Sequence, residues 1–293
     1  MKPDLFIVGA PKCGTTAWYN YLRSHPDIYF PDLKEPHFFA LDLPGFRRVT
    51  TEANYLSLFD DAGSATIRGE ASVFYLYSEL AAGEIARFNP DAKILIFLRS
   101  QEYSIPSFHQ QLLFTFDDTL SPFEEAWRLS GRRPRESVPD TCQDEKILDY
   151  KSVGMFREQI KRYGKHFPEQ QIRIIQFDDW VERPRETYLE ILRFLGVADD
   201  GRTEFPRINE ARFHNNRGLA RFLQHPPKWI LDLKNLLKKL VDRPSLGIAD
   251  LIAKRNRTRG YSEKPSSEVQ SEIREYYAKR QQIIAPNPKS PAS

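Results

Sequence analysis

Short, mostly apolar runs alternate along the first two thirds of the chain with stretches that have helical spacing. Residues 4–8 form one such run, which ends at Gly9, and residues 93–99 form a longer one that ends in a charged residue. Residues 67–71 and 171–177 are two further strand candidates. Runs of this kind, bounded by turn residues, are typical of strands that are buried in a parallel sheet.

Helices are predicted between these strands. After Thr15 apolar residues recur at helical spacing, and this helix is expected to end near Ser24-His25-Pro26. The regular alternation of strands and helices predicts an α/β fold with a central parallel sheet flanked by helices. The other predicted helices cover residues 78–88, 103–116 with Pro106 in its first turn, 122–130, 150–166, and 184–195 with its end at Gly196.

The last third of the chain has a different pattern. Residues 217–245 combine apolar residues at helical spacing with interleaved lysines, which predicts an amphipathic helix. We interpret it as a helix that packs on the domain with a solvated basic face; the alternative is a weak contact with a membrane surface or an acidic substrate. We expect a single domain over 1–285, followed by a disordered Pro/Ser/Lys-rich tail over 286–293.

The composition narrows the class of protein. A hydrophobic fraction of 40% and a charged fraction of 28% are those of a globular protein, and no 18-residue apolar run predicts a membrane span. A net charge of +3 does not indicate a nucleic-acid partner. Two cysteines, Cys13 and Cys142, cannot form a disulfide framework, and the N-terminal apolar stretch is too short for a secretory signal. We therefore expect a cytoplasmic location.

The segment from Gly9 to Thr16, with the sequence GAPKCGTT, joins the first strand to the first helix. Its glycines allow a turn whose amides point inward, and the start of the helix adds free amides and a partial positive charge. Lys12 adds a full charge, and Thr15 and Thr16 add hydroxyl donors. The segment is therefore predicted to bind a phosphate; an ordinary glycine turn is the alternative.

Two details separate this loop from that of a magnesium-dependent nucleotidase. A Walker A loop places a lysine directly after its second glycine, whereas here Thr15 follows Gly14 and Lys12 lies inside the loop. Where such an enzyme needs an aspartate for magnesium, the strand over 93–99 ends in Arg99, which can bind a second phosphate. The pattern predicts a P-loop-type three-layer fold whose nucleotide is handled without a metal.

These motifs resemble those of the sulfotransferases that use 3′-phosphoadenosine-5′-phosphosulfate (PAPS). Gly9–Thr16 resembles their 5′-phosphosulfate loop, and Arg99 followed by Ser107 resembles their 3′-phosphate motif. His25-Pro26 and Glu35-Pro36-His37-Phe38-Phe39 are similar to the signature of the heparan-type carbohydrate branch. The resemblance continues through residues 150–196 and, more loosely, to 257–261.

The resemblance implies direct transfer of a sulfuryl group from PAPS to a hydroxyl or an amine, which leaves adenosine 3′,5′-bisphosphate (PAP), with no metal expected. Glu35 is then the general base, Lys12 assists the leaving phosphate, and His37 assists the reaction or orients the acceptor. A surface carboxylate paired with Lys34 is the alternative interpretation of Glu35. A packed core histidine is the alternative for His37.

The resemblance also implies a set of donor-binding residues. For Arg99 the alternative is an ion pair at a strand end, and for the late segment 257–261 it is a solvated basic loop. Cys13 is interpreted as a small loop residue rather than a nucleophile, although the helix start could lower its pKa. The implied donor-binding residues are Pro11, Lys12, Cys13, Gly14, Thr15, Thr16, Arg99, Ser107, Arg257, Thr258, Arg259, Gly260 and Tyr261.

The acceptor is less well defined. Glu70 lies at a strand end, where ligands bind in open α/β sheets, but Ala71 replaces a lysine that follows the similar glutamate in the carbohydrate branch. Sugar hydroxyls are the first expectation and small-molecule alcohols the second. Core packing is favoured over a cleft position for Tyr150 and Phe156. A P-loop kinase or NTPase and a nucleotide-binding protein without turnover remain the alternative functions.

Overall fold

A computed structural model of the chain describes residues 1–208 and 265–280, the backbone of 212–214 and 257–259, and Gly218. Apart from Gly218, the predicted amphipathic helix over 217–245 lies outside the described residues, as does the predicted tail. The single-domain expectation therefore stays a prediction.

Five parallel strands form the centre of the fold, in the order β2-β3-β1-β4-β5. In the central strand β1, Ile7 lies opposite Ala71 of β3 on one side and Leu95 of β4 on the other. Four of these strands match the predicted ones; β2 was missed because it has only two residues. The strands are β1 (Leu5–Gly9), β2 (Ile28–Tyr29), β3 (Ile67–Ala71), β4 (Lys93–Leu98) and β5 (Ile172–Gln176).

Helices flank this sheet, which confirms the predicted fold class. The backbone of β6 (Arg212–His214) pairs with that of β7 (Arg257–Arg259) in a separate antiparallel ribbon. The helices are α1 (Thr15–Arg23), α2 (Glu52–Ser57), α3 (Ala81–Phe88), α4 (Gln101–Thr115), α5 (Phe123–Leu129), α6 (Tyr150–Val153), α7 (Phe156–Gly164), α8 (Phe177–Glu182), α9 (Pro184–Leu195) and α10 (Ser267–Arg280).

Two helix predictions were wrong in detail. Helix α4 begins at Gln101, so Pro106 lies inside the helix rather than in its first turn. The helix predicted over 150–166 is divided into α6 and α7. At the division, the hydroxyl of Tyr277 in α10 donates to the Lys151 carbonyl (3.1 Å), and the Met155 N–H donates to the Ser152 carbonyl.

The core lies around the sheet and is rich in aromatic rings. Trp18 of α1 stacks on Phe97 of β4 with 5.6 Å between the ring centroids. Tyr150 and Phe156 are buried, so the favoured prediction of core packing is confirmed for both. Within the described part of the chain, no helix is both long and apolar enough to cross a membrane.

Candidate active site

The predicted site residues follow the carboxyl ends of three neighbouring strands. Gly9 ends β1, and the Ala10 N–H then donates to the Phe97 carbonyl of β4 (2.7 Å). On the other side of β1, the Glu35 N–H donates to the Ala71 carbonyl at the end of β3 (3.0 Å). Parallel strands place their carboxyl ends at one edge of the sheet, where ligands bind. The structure therefore brings the predicted phosphate loop and the Glu35 segment to the same edge.

The loop after β1 leads directly into α1. Gly14 precedes the helix in a left-handed conformation (φ 91°), and no side chain caps the helix start. Amide groups in a first helical turn have no acceptor inside the helix, and the helix dipole adds positive charge there. Thr15 is buried and Thr16 is half-buried in this turn, and Pro11 is buried before it. The arrangement fits a phosphate or phosphosulfate group.

Cys13 is a buried thiol within this loop, and its Sγ donates to the Pro11 carbonyl (3.4 Å). Burial raises the pKa of this thiol to about 12, although the Arg99 backbone N–H and the charges of Arg99 and Lys12 act in the opposite direction. The expectation that the helix start could lower this pKa is therefore wrong, because the loss of hydration outweighs the cationic surroundings. Cys13 and Cys142 are both free thiols, and the expected cytoplasmic location stays a prediction.

Lys12 reaches from the loop to helix α4. Its ammonium group donates to the side-chain oxygen of Gln111 (3.0 Å). Gln111 comes four residues after Ser107, and residues at this spacing lie on one helix face. The face of α4 that carries the predicted phosphate ligand Ser107 therefore also contacts Lys12. Gln111 was not among the predicted site residues, although its spacing from Ser107 was an available signal.

Arg99 directly follows β4 and lies among aromatic rings. Its guanidinium carbon is 4.5 Å from the ring centroid of Phe177 and 5.6 Å from that of Tyr103. A guanidinium that stacks on a ring keeps its N–H groups in its own plane, where their outer edges can form hydrogen bonds. Arg99 and Ser107 are both half-buried. Stacking thus holds Arg99 at the edge of the sheet as a potential phosphate ligand.

Glu35 and His37 lie side by side in the segment between α1 and α2. The His37 Nε2 is 3.8 Å from the Glu35 Oε2. Glu35 also forms an ion pair with Lys34, as the alternative interpretation expected, and its side chain keeps 29% of its exposure. His37 is only 2% exposed and packs against Phe46 and Phe74. The geometry allows Glu35, but not His37, to meet a bulky acceptor.

The charge of Glu35 is fixed by its neighbours. Burial by itself would raise the pKa of this carboxyl, but Lys34 and His37 together lower the pKa of Glu35 well below its usual range. Burial also lowers the pKa of His37, against the opposite influence of Glu35. At neutral pH the pair therefore consists of a carboxylate and a neutral imidazole.

Backbone conformation marks the same residues. Among the described residues, four that are not glycine have a positive φ: Lys12, Glu35, His37 and Phe116. The first three are the residues predicted to be catalytic. Left-handed conformations cost ordinary residues about 1–2 kcal/mol and concentrate at functional sites. The three residues predicted to be catalytic therefore share an uncommon backbone conformation with Phe116, and their catalytic roles stay a prediction.

One predicted residue, Glu70, is not brought to the site. Glu70 is 1% exposed, so it faces the interior rather than the strand-end opening expected for it. The backbone of residues 257–259 forms β7, while Gly260 and Tyr261 lie outside the described residues. Within the described ranges, no group of three or more His, Cys, Asp or Glu side chains could hold a metal ion.

A loop that joins the first strand of a parallel sheet to a helix start, with a carboxylate at the neighbouring strand end, fits the binding of a phosphorylated ligand on a P-loop-type fold. Residues 2–222 match the family model described as the sulfotransferase domain. The chain therefore belongs to the sulfotransferase family, and the predicted resemblance is confirmed.

Several relatives are similar to this chain. Rat (Rattus norvegicus) carbohydrate sulfotransferase 15 is 25% identical over 255 residues, which cover 67% of this chain and 44% of the relative. Mouse (Mus musculus) heparan sulfate glucosamine 3-O-sulfotransferase 3B1 is 24% identical over 202 residues, which cover 67% of this chain and 46% of the relative. The chain thus spans less than half the length of these two proteins.

A solved structure supports the family and the fold together. The crystal structure of a sulfotransferase from Alicyclobacillus acidocaldarius is 33% identical in sequence, with a TM-score of 0.63. The match covers 72% of this chain and 87% of that chain. The common structure therefore includes most of the bacterial protein and nearly three quarters of this chain.

Proposed function

We propose that this chain transfers a sulfuryl group from PAPS to a hydroxyl or amine of an acceptor, with a carbohydrate as the first acceptor class and a small-molecule alcohol as the second. The names of the two mammalian relatives support a carbohydrate. The replacement of the expected lysine by Ala71 argues for an acceptor that differs from that of the heparan-type enzymes.

The observation that carries this proposal is the position of an ionised Glu35 at the strand end next to the phosphate loop. The donor supplies an activated sulfuryl group whose departure leaves a phosphate. The loop from Pro11 to Thr16 would bind the 5′ side of the donor, and Arg99 and Ser107 its 3′-phosphate. Glu35 would take the proton of the attacking hydroxyl or amine, and Lys12 would offset charge on the leaving phosphate.

The role of His37 differs from the one first expected. Because it is buried beside Glu35, we propose that it positions the carboxylate instead of contacting the acceptor. Lys34 opposes basicity, since its ion pair with Glu35 favours the carboxylate form. A carboxylate with so low a pKa is a weak base. We therefore expect acceptor binding to move Lys34 away from Glu35.

The test is transfer from radiolabelled PAPS by the purified chain to a panel of oligosaccharides, small-molecule alcohols and amines. Glu35→Gln should reduce transfer by about 10²–10⁴-fold. Its affinity for PAP should stay unchanged, because Glu35 is separate from the donor loop. The exposed Glu52 of α2 provides a matched control, and Glu52→Gln should transfer normally.

Two outcomes would contradict the proposal. Near-normal transfer by Glu35→Gln would show that Glu35 is not the base. Magnesium-dependent ATP hydrolysis without transfer to any acceptor would favour the kinase or NTPase alternative instead.

A further inference from the structure

A group of polar side chains is buried behind the segment that carries Glu35 and His37. Its centre is Glu70, at the carboxyl end of β3 and 1% exposed. The Glu70 Oε2 accepts a hydrogen bond from the Tyr55 hydroxyl (3.1 Å). The other oxygen, Oε1, is buried and has no hydrogen-bond partner among the described residues. A buried carboxylate is costly, so its retention here needs an explanation.

Two hydroxyl groups connect Glu70 to the Glu35 segment. The Ser72 Oγ accepts a hydrogen bond from the backbone N–H of His37 (3.1 Å). The Tyr75 hydroxyl accepts one from the backbone N–H of Phe39 (3.3 Å). Both hydroxyls also act on Glu70, because each of them lowers the pKa of its carboxyl. Each therefore stands between the buried carboxylate and the backbone of the segment.

The protons available on the hydroxyls and on Glu70 decide which hydrogen bonds this group can form. A hydroxyl has one proton to donate and two lone pairs that accept. When Ser72 and Tyr75 accept from the backbone of the segment, their own protons are available for Glu70. An ionised Glu70 accepts the Tyr55 proton and attracts the protons of Ser72 and Tyr75, since both hydroxyls lower the pKa of its carboxyl. A protonated Glu70 has a proton of its own to donate, so the hydroxyl protons lose an acceptor in a buried place.

We propose that Glu70 is a positioning residue, whose carboxylate orients the Ser72 and Tyr75 hydroxyls so that they hold the backbone of His37 and Phe39 in place. The left-handed conformations at Glu35 (φ 63°) and His37 (φ 49°) need such support, because ordinary residues do not adopt them without constraint. This inference rests on the proposed function, since Glu35 is the base only there.

The protonation of Glu70 makes the inference testable. Burial raises the pKa of Glu70 to about 7, against the hydroxyls of Ser72, Tyr75 and Tyr55 and the charge of Lys34. Three tyrosines also lie around Glu70. Burial raises the pKa of Tyr55, Tyr75 and Tyr163 well above 10.0, so these groups do not titrate near neutrality. The hydroxyl arrangement should therefore change as the pH passes through about 7.

The experiment follows the backbone amide resonances of His37 and Phe39 by NMR between about pH 6 and about pH 8, where Glu70 changes charge. In the wild-type chain both amides should shift with a midpoint near 7. In Glu70→Gln this midpoint should disappear, whereas Glu70→Asp, which keeps a carboxylate, should retain a midpoint. The pKa of His37 is lowered from 6.5, so any titration of its own ring occurs at lower pH and remains in Glu70→Gln.

A matched control removes a buried tyrosine hydroxyl elsewhere. Tyr188 is fully buried and its hydroxyl donates to Asp200 (3.2 Å), so Tyr188→Phe should keep the midpoint of both amides. The inference is overturned if the wild-type amides show no midpoint near 7, or if the midpoint persists in Glu70→Gln. The amide spectrum of each variant also shows whether that variant is folded, so both results can be obtained on folded protein.

A second measurement separates this inference from the proposed function. Glu70→Gln should bind PAP with unchanged affinity and transfer sulfate about tenfold to a hundredfold more slowly, as expected when a catalytic group is displaced. Glu70→Asp should recover part of the rate. The NMR titration needs neither donor nor acceptor, so it can fail while transfer by the wild-type chain succeeds. Absence of wild-type transfer would count against the proposed function alone.

Discussion

The indole ring of Trp180 lies directly against the Cα of Gly14. A Cβ atom added to Gly14 would be 2.5 Å from the Cζ2 of that ring, far inside van der Waals contact. Trp180 belongs to α8, which also carries Phe177, the ring under the Arg99 guanidinium. One short helix therefore supports both the phosphate loop after β1 and the arginine after β4.

Gly14→Ala should damage the donor site. The substitution places a side chain at a left-handed position (φ 91°) and forces Trp180 to move, which together cost more than the ~1–2 kcal/mol of the conformation alone. We expect a lower unfolding temperature and a loss of PAP affinity of about tenfold or more, measured by calorimetry. Gly164→Ala is the control, because nothing lies within 4 Å of a Cβ at that glycine. Unchanged PAP affinity in Gly14→Ala would show that the loop does not bind the nucleotide.

The charge and the backbone strain of Lys12 can be separated. Lys12→Gly and Lys12→Ala both remove the ammonium group, but only alanine keeps the cost of the left-handed conformation (φ 65°). Both variants should lose transfer, while Lys12→Gly should unfold at the higher temperature. Gln111→Ala removes a hydrogen-bond partner of Lys12 and should keep measurable transfer. Retained transfer in Lys12→Gly would exclude the leaving-group role.

Arg99→Ala should weaken PAP binding by about 10–100-fold, the usual loss for a hydrogen bond to a charged group. Arg99→Lys should recover only part of this affinity, because lysine lacks the planar fork and the stacking on Phe177. Arg87 on α3 is a matched exposed arginine, and Arg87→Ala should bind PAP normally. Equal affinities of Arg99→Ala and wild type would remove Arg99 from the 3′-phosphate site.

Much of the fold and part of the site could be predicted, because both depend on local signals. Three of these signals each lie in one continuous stretch of sequence: the apolar run over 93–99, the glycines around Lys12 and the Glu35 motif. Strand β2 could not be predicted from two residues, since it exists only because β3 offers an edge for pairing. An element can thus be predicted where its signal lies in the local sequence, but not where it depends on pairing with a distant strand.

Burial of individual polar side chains could not be predicted from the sequence. Glu70 was expected to face a ligand because it ends a strand, and only the packing of Tyr55 and Tyr75 over it shows that it faces inward. His37 was ambiguous for the same reason, since its exposure depends on Phe46 and Phe74, which come from later segments. Charge type can be read along the chain, but access to solvent requires the tertiary structure.

Glu70 also predicts an unusual dependence of stability on pH. Its pKa is raised from 4.5 to about 7 in the folded chain, so the folded state keeps a proton that the unfolded state releases between these values. Its contribution to stability is therefore complete below pH 4.5 and is lost as the pH rises to about 7. The shift corresponds to about 3 kcal/mol at about 1.4 kcal/mol per pH unit.

Glu35 and His37 act in the opposite direction, because their lowered pKa values make the folded state lose stability as the pH falls below 4.5 and 6.5, respectively. The comparison must therefore be made against Glu70→Gln, which retains both of these groups. Urea unfolding should show that Glu70→Gln gains about 2–3 kcal/mol relative to wild type between about pH 5 and about pH 8. Glu52→Gln should show no such change. A constant difference in unfolding free energy between Glu70→Gln and wild type would mean that Glu70 does not titrate in this range. The expected gain would mean that the wild-type fold is less stable at the pH where Glu70 is charged.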